Sequence, residues 1–197
     1  MEEYIEENYI KEEVIINLSW ANVFVLIVLV VALIIFGIPY LLIWQETVVN
    51  DIHASSYSLI FFLALVFGIV LHELIHGIFW AAFTKEGFKS IKFGIMPASK
   101  FFSPYCHCKE PLKLNHYRLG AIMPLVILGI IPTIISICIG SLFIFGLGVF
   151  FISSACGDIL IFKKTLKEKK DSLLFDHPSE AGYYIYRLKS NESNEMR

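Results

Sequence analysis

The amino-acid sequence predicts an all-α polytopic membrane protein of four transmembrane helices, with a small cytoplasmic β-hairpin-like loop and tail. Three observations predict it. Of 197 residues, 56% are hydrophobic and 17% charged, with a mean hydropathy of +0.67, whereas a soluble domain is about 45–50% apolar and about 25% charged. Apolar runs long enough to span a bilayer, which takes about 20 residues, recur along the chain. Lysine and arginine are also distributed unevenly among the segments that join those runs, as they are around membrane spans.

Residues 1–19 form an acidic segment, too polar for a secretory leader and followed by an apolar run too long for an h-region. The first span is expected at about 20–44, with Trp20, Tyr40 and Trp44 placed as interfacial anchors. The second is expected at about 58–83. The apolar stretch from Leu119 to Phe162 is too long for one span and divides near Gly140-Ser141, giving spans at 119–139 and 142–162 joined by a tight turn. Residues 163–197 form a basic tail.

Between the second and third spans lie Lys85, Lys89, Lys92, Lys100, Lys109, Lys113 and Arg118, and the tail opens with Lys163, Lys164, Lys167, Lys169 and Lys170. Residues 45–57 hold no lysine or arginine at all. The positive-inside rule puts the middle loop and tail in the cytoplasm of a multi-pass cell-membrane protein. Four spans then bring the N-terminus to the same side. In the loop, "IKFGI" alternates apolar with polar or small residues and "KFFSPYCHC" is aromatic-rich, which suggests a hairpin or re-entrant element. "LLFDHPSEAGYYIYRL" in the tail suggests another.

A net charge of −2 and the lack of a basic stripe give no sign of a nucleic-acid partner. Cys138 and Cys156 fall in apolar runs, so the four cysteines are no secreted disulfide framework.

Inside the expected spans, Asp, Glu, His, Lys and Arg occur only as His72, Glu73, His76 and Asp158. A charge at the bilayer centre costs about 2.5–3.5 kcal/mol even on lenient insertion scales, which marks such residues as functional. His72 and His76 are four apart, so both rings leave one face of a helix and one metal ion can bridge them. Glu73 lies about 100° around from His72, where its carboxylate reaches a water on the metal rather than the metal itself. HExxH on a helix is the pattern of two zinc-binding histidines and a glutamate general base.

A catalytic zinc usually takes three protein ligands and keeps one position open. Asp158 is the natural third. Spans two and four both run from outside inward, so His76 and Asp158 share the cytoplasmic half, and Gly157 would permit close backbone approach. Cys156 competes for the role, but two positions along a helix turn it about 160° away from Asp158. Ser154, four residues before Asp158, could orient the carboxylate or bond back to its own helix. Cys106-His107-Cys108 is poor as a second site, because on a strand His107 points away from both cysteines. His53, His116 and His177 are read as loop residues.

With HELIH in one span, a cytoplasmic loop, a proline-containing span ("AIMPLVILGIIP") and a last span ending in "GDI", the chain resembles a family of membrane zincin peptidases. That family is similar in plan to site-2 proteases. The resemblance covers roughly Ser58 to Phe162 and implies His72, His76 and Asp158 as zinc ligands and Glu73 as base. Site-2 proteases carry Asn-x-x-Pro-x-x-x-Leu-Asp-Gly around the third ligand. Here Gly157 and Ile159 flank Asp158, and no Asn or Pro occurs in the fourth span, so the oxyanion-stabilising asparagine has no counterpart.

The expected function is zinc-dependent hydrolysis of peptide bonds in membrane or membrane-proximal substrates, with the lipid bilayer as the other partner. A metal carrier would use the same ligands but gives Glu73 no task. A haem carrier would need histidines on opposite sides of the iron, which one helix face cannot supply. A non-catalytic metal-binding scaffold is the remaining alternative.

Overall fold

The computed structural model describes residues 8–52, 58–96, 103–177 and 180–189. After strand β1 (Tyr9–Ile15), helix α1 (Leu18–Ala32) runs through a π-helical segment, Leu33–Gly37, into α2 (Ile38–Ile52). The widening has a local cause. Pro39 has no N–H to return to the carbonyl four residues back, and the Ile38 N–H reaches five back, to the Leu33 carbonyl. Helix α3 (Ser58–Ala81) is unbroken. Helices α4 (Leu114–Pro124) and α5 (Ile131–Ile139) flank a second π segment, Leu125–Ile130, ahead of Pro132, where the Ile131 N–H bonds the Val126 carbonyl in the same way. Gly140 ends α5 in the left-handed conformation (φ 73°), and the Ser141 hydroxyl accepts from the Ile144 N–H to cap α6 (Leu142–Ser154).

Among the described residues, three helical stretches are long and apolar enough to cross a membrane: Trp20–Gln45, Ser58–Ala81 and Leu114–Ile139. The fourth expected span differs from a single helix. It is α6 followed by α7 (Cys156–Thr165), bent by 45°. The Ser153 and Ser154 hydroxyls donate to the Val149 and Phe151 carbonyls of their own helix, a back-bonding that bends helices, and Ala155 leaves helical geometry at ψ 13°.

Nor is the molecule strictly all-α. Among the described residues, β1, β4 (Leu112–Lys113), β5 (Leu173–Asp176) and β6 (Gly182–Leu188) make an antiparallel sheet in the order β1-β6-β5-β4, and β2 (Ile91–Met96) pairs with β3 (Ser103–Cys108) in a hairpin. The N-terminal strand is absent from the sequence-based expectation. It pairs along its whole length with β6, from Tyr9 opposite Leu188 to Ile15 opposite Gly182. One sheet thereby collects the segment before the first helix, the segment between α3 and α4, and the tail.

Tyr40 and Trp44 pack against neighbouring helices. Tyr40 is buried with its ring 4.6 Å from that of Phe145, and the Trp44 indole donates to the Ile137 carbonyl at 2.9 Å. A side chain at Gly140 would strike Trp44, so this turn requires glycine for space as well as for φ. They belong to the core between the helices, with Leu125, Phe145, Val149 and Ile152. A second core joins the helix ends to the sheet through Trp80, Leu112, Leu114, Tyr117, Leu174, Tyr183 and Ile185.

Candidate metal centre

His72 and His76 are one turn apart on the buried face of α3, with ring centroids 4.9 Å apart. The His76 ring is fixed from two sides. Its Nδ1 lies 2.9 Å from the Gly120 carbonyl of α4, and Trp80 stacks on it at 5.1 Å. Trp80 is held in turn by a hydrogen bond to the Tyr117 carbonyl (3.1 Å) and a stack on the Tyr117 ring. Any side chain at Gly120 would occupy the space of the Trp80 indole. Because a carbonyl only accepts, His76 Nδ1 carries the proton in this bond, which leaves Nε2 with a free lone pair in the neutral ring.

Asp158 arrives from the other helix. The break at Ala155 places it in the first turn of α7, where the helix dipole favours negative charge. Its Oδ2 lies 3.1 Å from His72 Nε2 and its Oδ1 lies 3.4 Å from His76 Nε2. One ligand atom from each of the three residues falls within 4.8 Å of the others.

The donor set fits a zinc ion. Tetrahedral zinc with bonds of about 2.0–2.1 Å separates neighbouring ligand atoms by about 3.3–3.4 Å, and each imidazole lies near that distance from one of the two Asp158 oxygens. The bare Nε2 of His76 and a carboxylate oxygen also repel each other at this distance, unless a positive charge lies between them. Among the described residues the buried His72 Nδ1 has no hydrogen-bond partner, so the centre is braced on the His76 side.

Glu73 lines the same cavity of about 230 Å³ as the three ligand candidates. The Cys106 N–H of β3 is turned toward its carboxylate. Cys106 and Cys108 are the residues of β3 whose N–H groups turn away from β2, and the Cys108 N–H goes to Asp176 Oδ2 at 2.8 Å. Asp176 also accepts from the Tyr117 hydroxyl at 2.6 Å, and burial pushes its carboxyl up to about 6. The strand that orients Glu73 is thus tied to the helix whose carbonyls hold His76 and Trp80.

Gly157 and His116 differ from expectation. Gly157 makes no close approach, since a side chain there would meet open space. Ser154 bonds back to the Phe151 carbonyl, and Cys156 lies outside the convergent group. Burial pushes the Cys106 and Cys108 thiols up, Cys108 to about 12, which keeps them protonated, and they form no second metal cluster among the described residues. His116 is helical, stacked on Phe83 at 3.9 Å. His177 is buried on the cavity wall, accepts the Glu180 N–H and contacts Glu13 of β1 at 2.8 Å. His53 lies outside the described residues. Trp80, Tyr117, Asp176 and His177 were missed by sequence reasoning. Only "DHP" in a turn-like stretch marked any of them.

Residues 65–173, more than half of the chain, match the model of a family described as "Putative zincin peptidase". The match takes in α3 from about two turns before His72, the hairpin, α4, and Asp158. No curated protein matches the chain, and no solved structure does.

Proposed function

The chain belongs to this zincin peptidase family, whose membership points to a zinc metallopeptidase, and on that premise we propose that it is a membrane-embedded enzyme hydrolysing membrane or membrane-proximal proteins. The observation that carries the reading is the convergence of His72 and His76 from one apolar helix with Asp158 from another, beside Glu73. His72, His76 and Asp158 would hold the ion. Zinc bound there supplies Lewis acidity, which brings a water's pKa from 15.7 to about 7 and polarises the scissile carbonyl.

The remaining work falls to the chain. Glu73 takes the proton of the attacking water and returns it to the leaving amine. The Cys106 N–H holds that carboxylate beside the ligand face, and the Gly120 carbonyl fixes the His76 tautomer. Asp158 balances the cation's charge in surroundings that would otherwise make it costly. Substrate enters extended, as a strand beside the hairpin.

The helices are read as four spans of the cell membrane, with α6 and α7 together making the fourth. Support comes from the sheet, since β1, β4 and β5–β6 can meet only if both termini and the α3–α4 segment share one side. Their lysines make that side the cytoplasm, from which water reaches the cavity.

Glu73→Gln tests the assignment. The variant is expected to keep one zinc per chain while cleavage of membrane peptides falls by about 10²–10⁴-fold, the usual worth of a general base. Retained cleavage would refute the assigned base. Zinc without cleavage in the wild type would favour the scaffold or carrier reading.

A further inference from the structure

A cavity of about 820 Å³ lies away from the metal centre, between the end of α3, the 3₁₀ turn Gly87–Ser90 and the start of α4. Its size is that of a small-ligand pocket, about 300–1,000 Å³. Four ammonium groups border it: Lys85, Lys89, Lys109 and Lys113. Two carboxylates do as well, Glu86 and Glu110, but Glu110 is consumed by the turn. It accepts the Lys85 and Glu86 N–H groups and the Ser90 hydroxyl, which holds its carboxyl below the usual range. Lys109 reaches only a carbonyl, that of Lys89. Lys89 and Lys113 are exposed, and their ammonium groups donate to no described group. The floor is apolar, built from the Phe83–His116 stack, Leu112 and Leu173.

We infer that this cavity binds the headgroup of an acidic phospholipid. The basic rim matches a phosphate, and the apolar floor matches the glycerol shoulder behind it. Location selects a lipid over a soluble anion. Phe83 follows α3 by two residues and Lys113 directly precedes α4, so the mouth opens where two spanning helices emerge, at headgroup depth on the side whose leaflet is anionic. The inference rests on the membrane-spanning reading of α3 and α4, and does not depend on catalysis.

The test uses the full chain purified in a non-ionic detergent. Dihexanoyl phosphatidylglycerol, dihexanoyl phosphatidylcholine and inorganic phosphate are titrated separately, with the thermal midpoint and bound lipid by native mass spectrometry as readouts. The glycerol lipid is expected to raise the midpoint saturably, whereas the choline lipid and phosphate do not. The double variant Lys89→Gln/Lys113→Gln should weaken that binding by roughly 30-fold, about fivefold per lysine, while Lys169→Gln/Lys170→Gln, matched in charge but outside the cavity, should leave it unchanged. The two single variants serve if the first double variant fails to fold. Equal loss in both double variants, equal binding of the choline lipid, or an equal response to phosphate would each overturn the site as a lipid pocket. Carbonate extraction of the chain from membranes reports separately on the spanning reading.

Discussion

Along α3, Leu59, Phe62, Leu63, Val66, Phe67 and Val70 are exposed while His72 and His76 are buried. Along β5 and β6 the order is reversed. Leu174, Tyr183 and Ile185 are buried to within 1% of completely, and Lys11, Glu12 and Glu13 of the adjoining β1 are exposed. The hydrophobic effect removes apolar surface from water, so on the membrane-spanning reading proposed above one chain with both patterns meets two solvents. The boundary falls where α3 and α4 meet the sheet, and the cavity holding Glu73, Asp158 and His177 straddles it. A hydrolytic centre needs a position of this kind, dry enough to make electrostatics strong and close enough to the aqueous end to admit water.

The largest expected effect breaks the sheet side. Leu174→Asp buries an unpaired charge and should cost more than about 4 kcal/mol, seen as loss of cooperative unfolding. Its counterpart is Leu63→Asp on the outer face of α3, which is 56% exposed. On a water-facing helix this change would be nearly silent. Against lipid it should cost about 2.5–3.5 kcal/mol of insertion, measured as a smaller membrane-integrated fraction. A silent Leu63→Asp would erase the contrast between the two regions.

A smaller effect tests the join between them. Burial raises Asp176 from 3.8 to about 6, so the folded state binds this proton more tightly than the unfolded one. The resulting stabilisation is complete below about pH 4 and is lost as pH rises through about 6, amounting to about 3 kcal/mol. Asp176→Asn can still accept the Cys108 N–H and donate to the Tyr117 hydroxyl. It should flatten the decline in thermal midpoint between pH 4 and 6 relative to wild type. The smallest effect lies on the sheet surface. Arg187 pairs with Glu12 and Glu168, is partly exposed, and on replacement by alanine should cost under about 1 kcal/mol in chemical denaturation.

The helices and the ligand candidates were legible for the same reason. Apolar runs set the spans, and against them four ionisable residues stand out, two at helical spacing. The Gly140-Ser141 break was also visible, because glycine followed by a serine cap is a local signal. Features that depend on distant partners were hidden. β1 shows no alternation of its own and is strand because β6, some 170 residues later, pairs with it. Asp176 looks like a surface residue until Tyr117 and the Cys108 N–H close around it. The bend at Ala155 has a sequence cause in the two serines before it, but serine in a helix does not announce whether it will bond backward. The packing of Tyr40 and Trp44 was hidden because amphipathic rings suit both a membrane boundary and a helix crossing.

The central claim is that one cation is gripped by side chains from two separate helices. Zinc content per chain, measured by elemental analysis on purified wild type, Glu73→Gln and Asp158→Ala, tests it most directly. Wild type and Glu73→Gln should hold one equivalent after dialysis, and Asp158→Ala should hold none. A full equivalent in Asp158→Ala, or none in the wild type after zinc loading, would contradict the account.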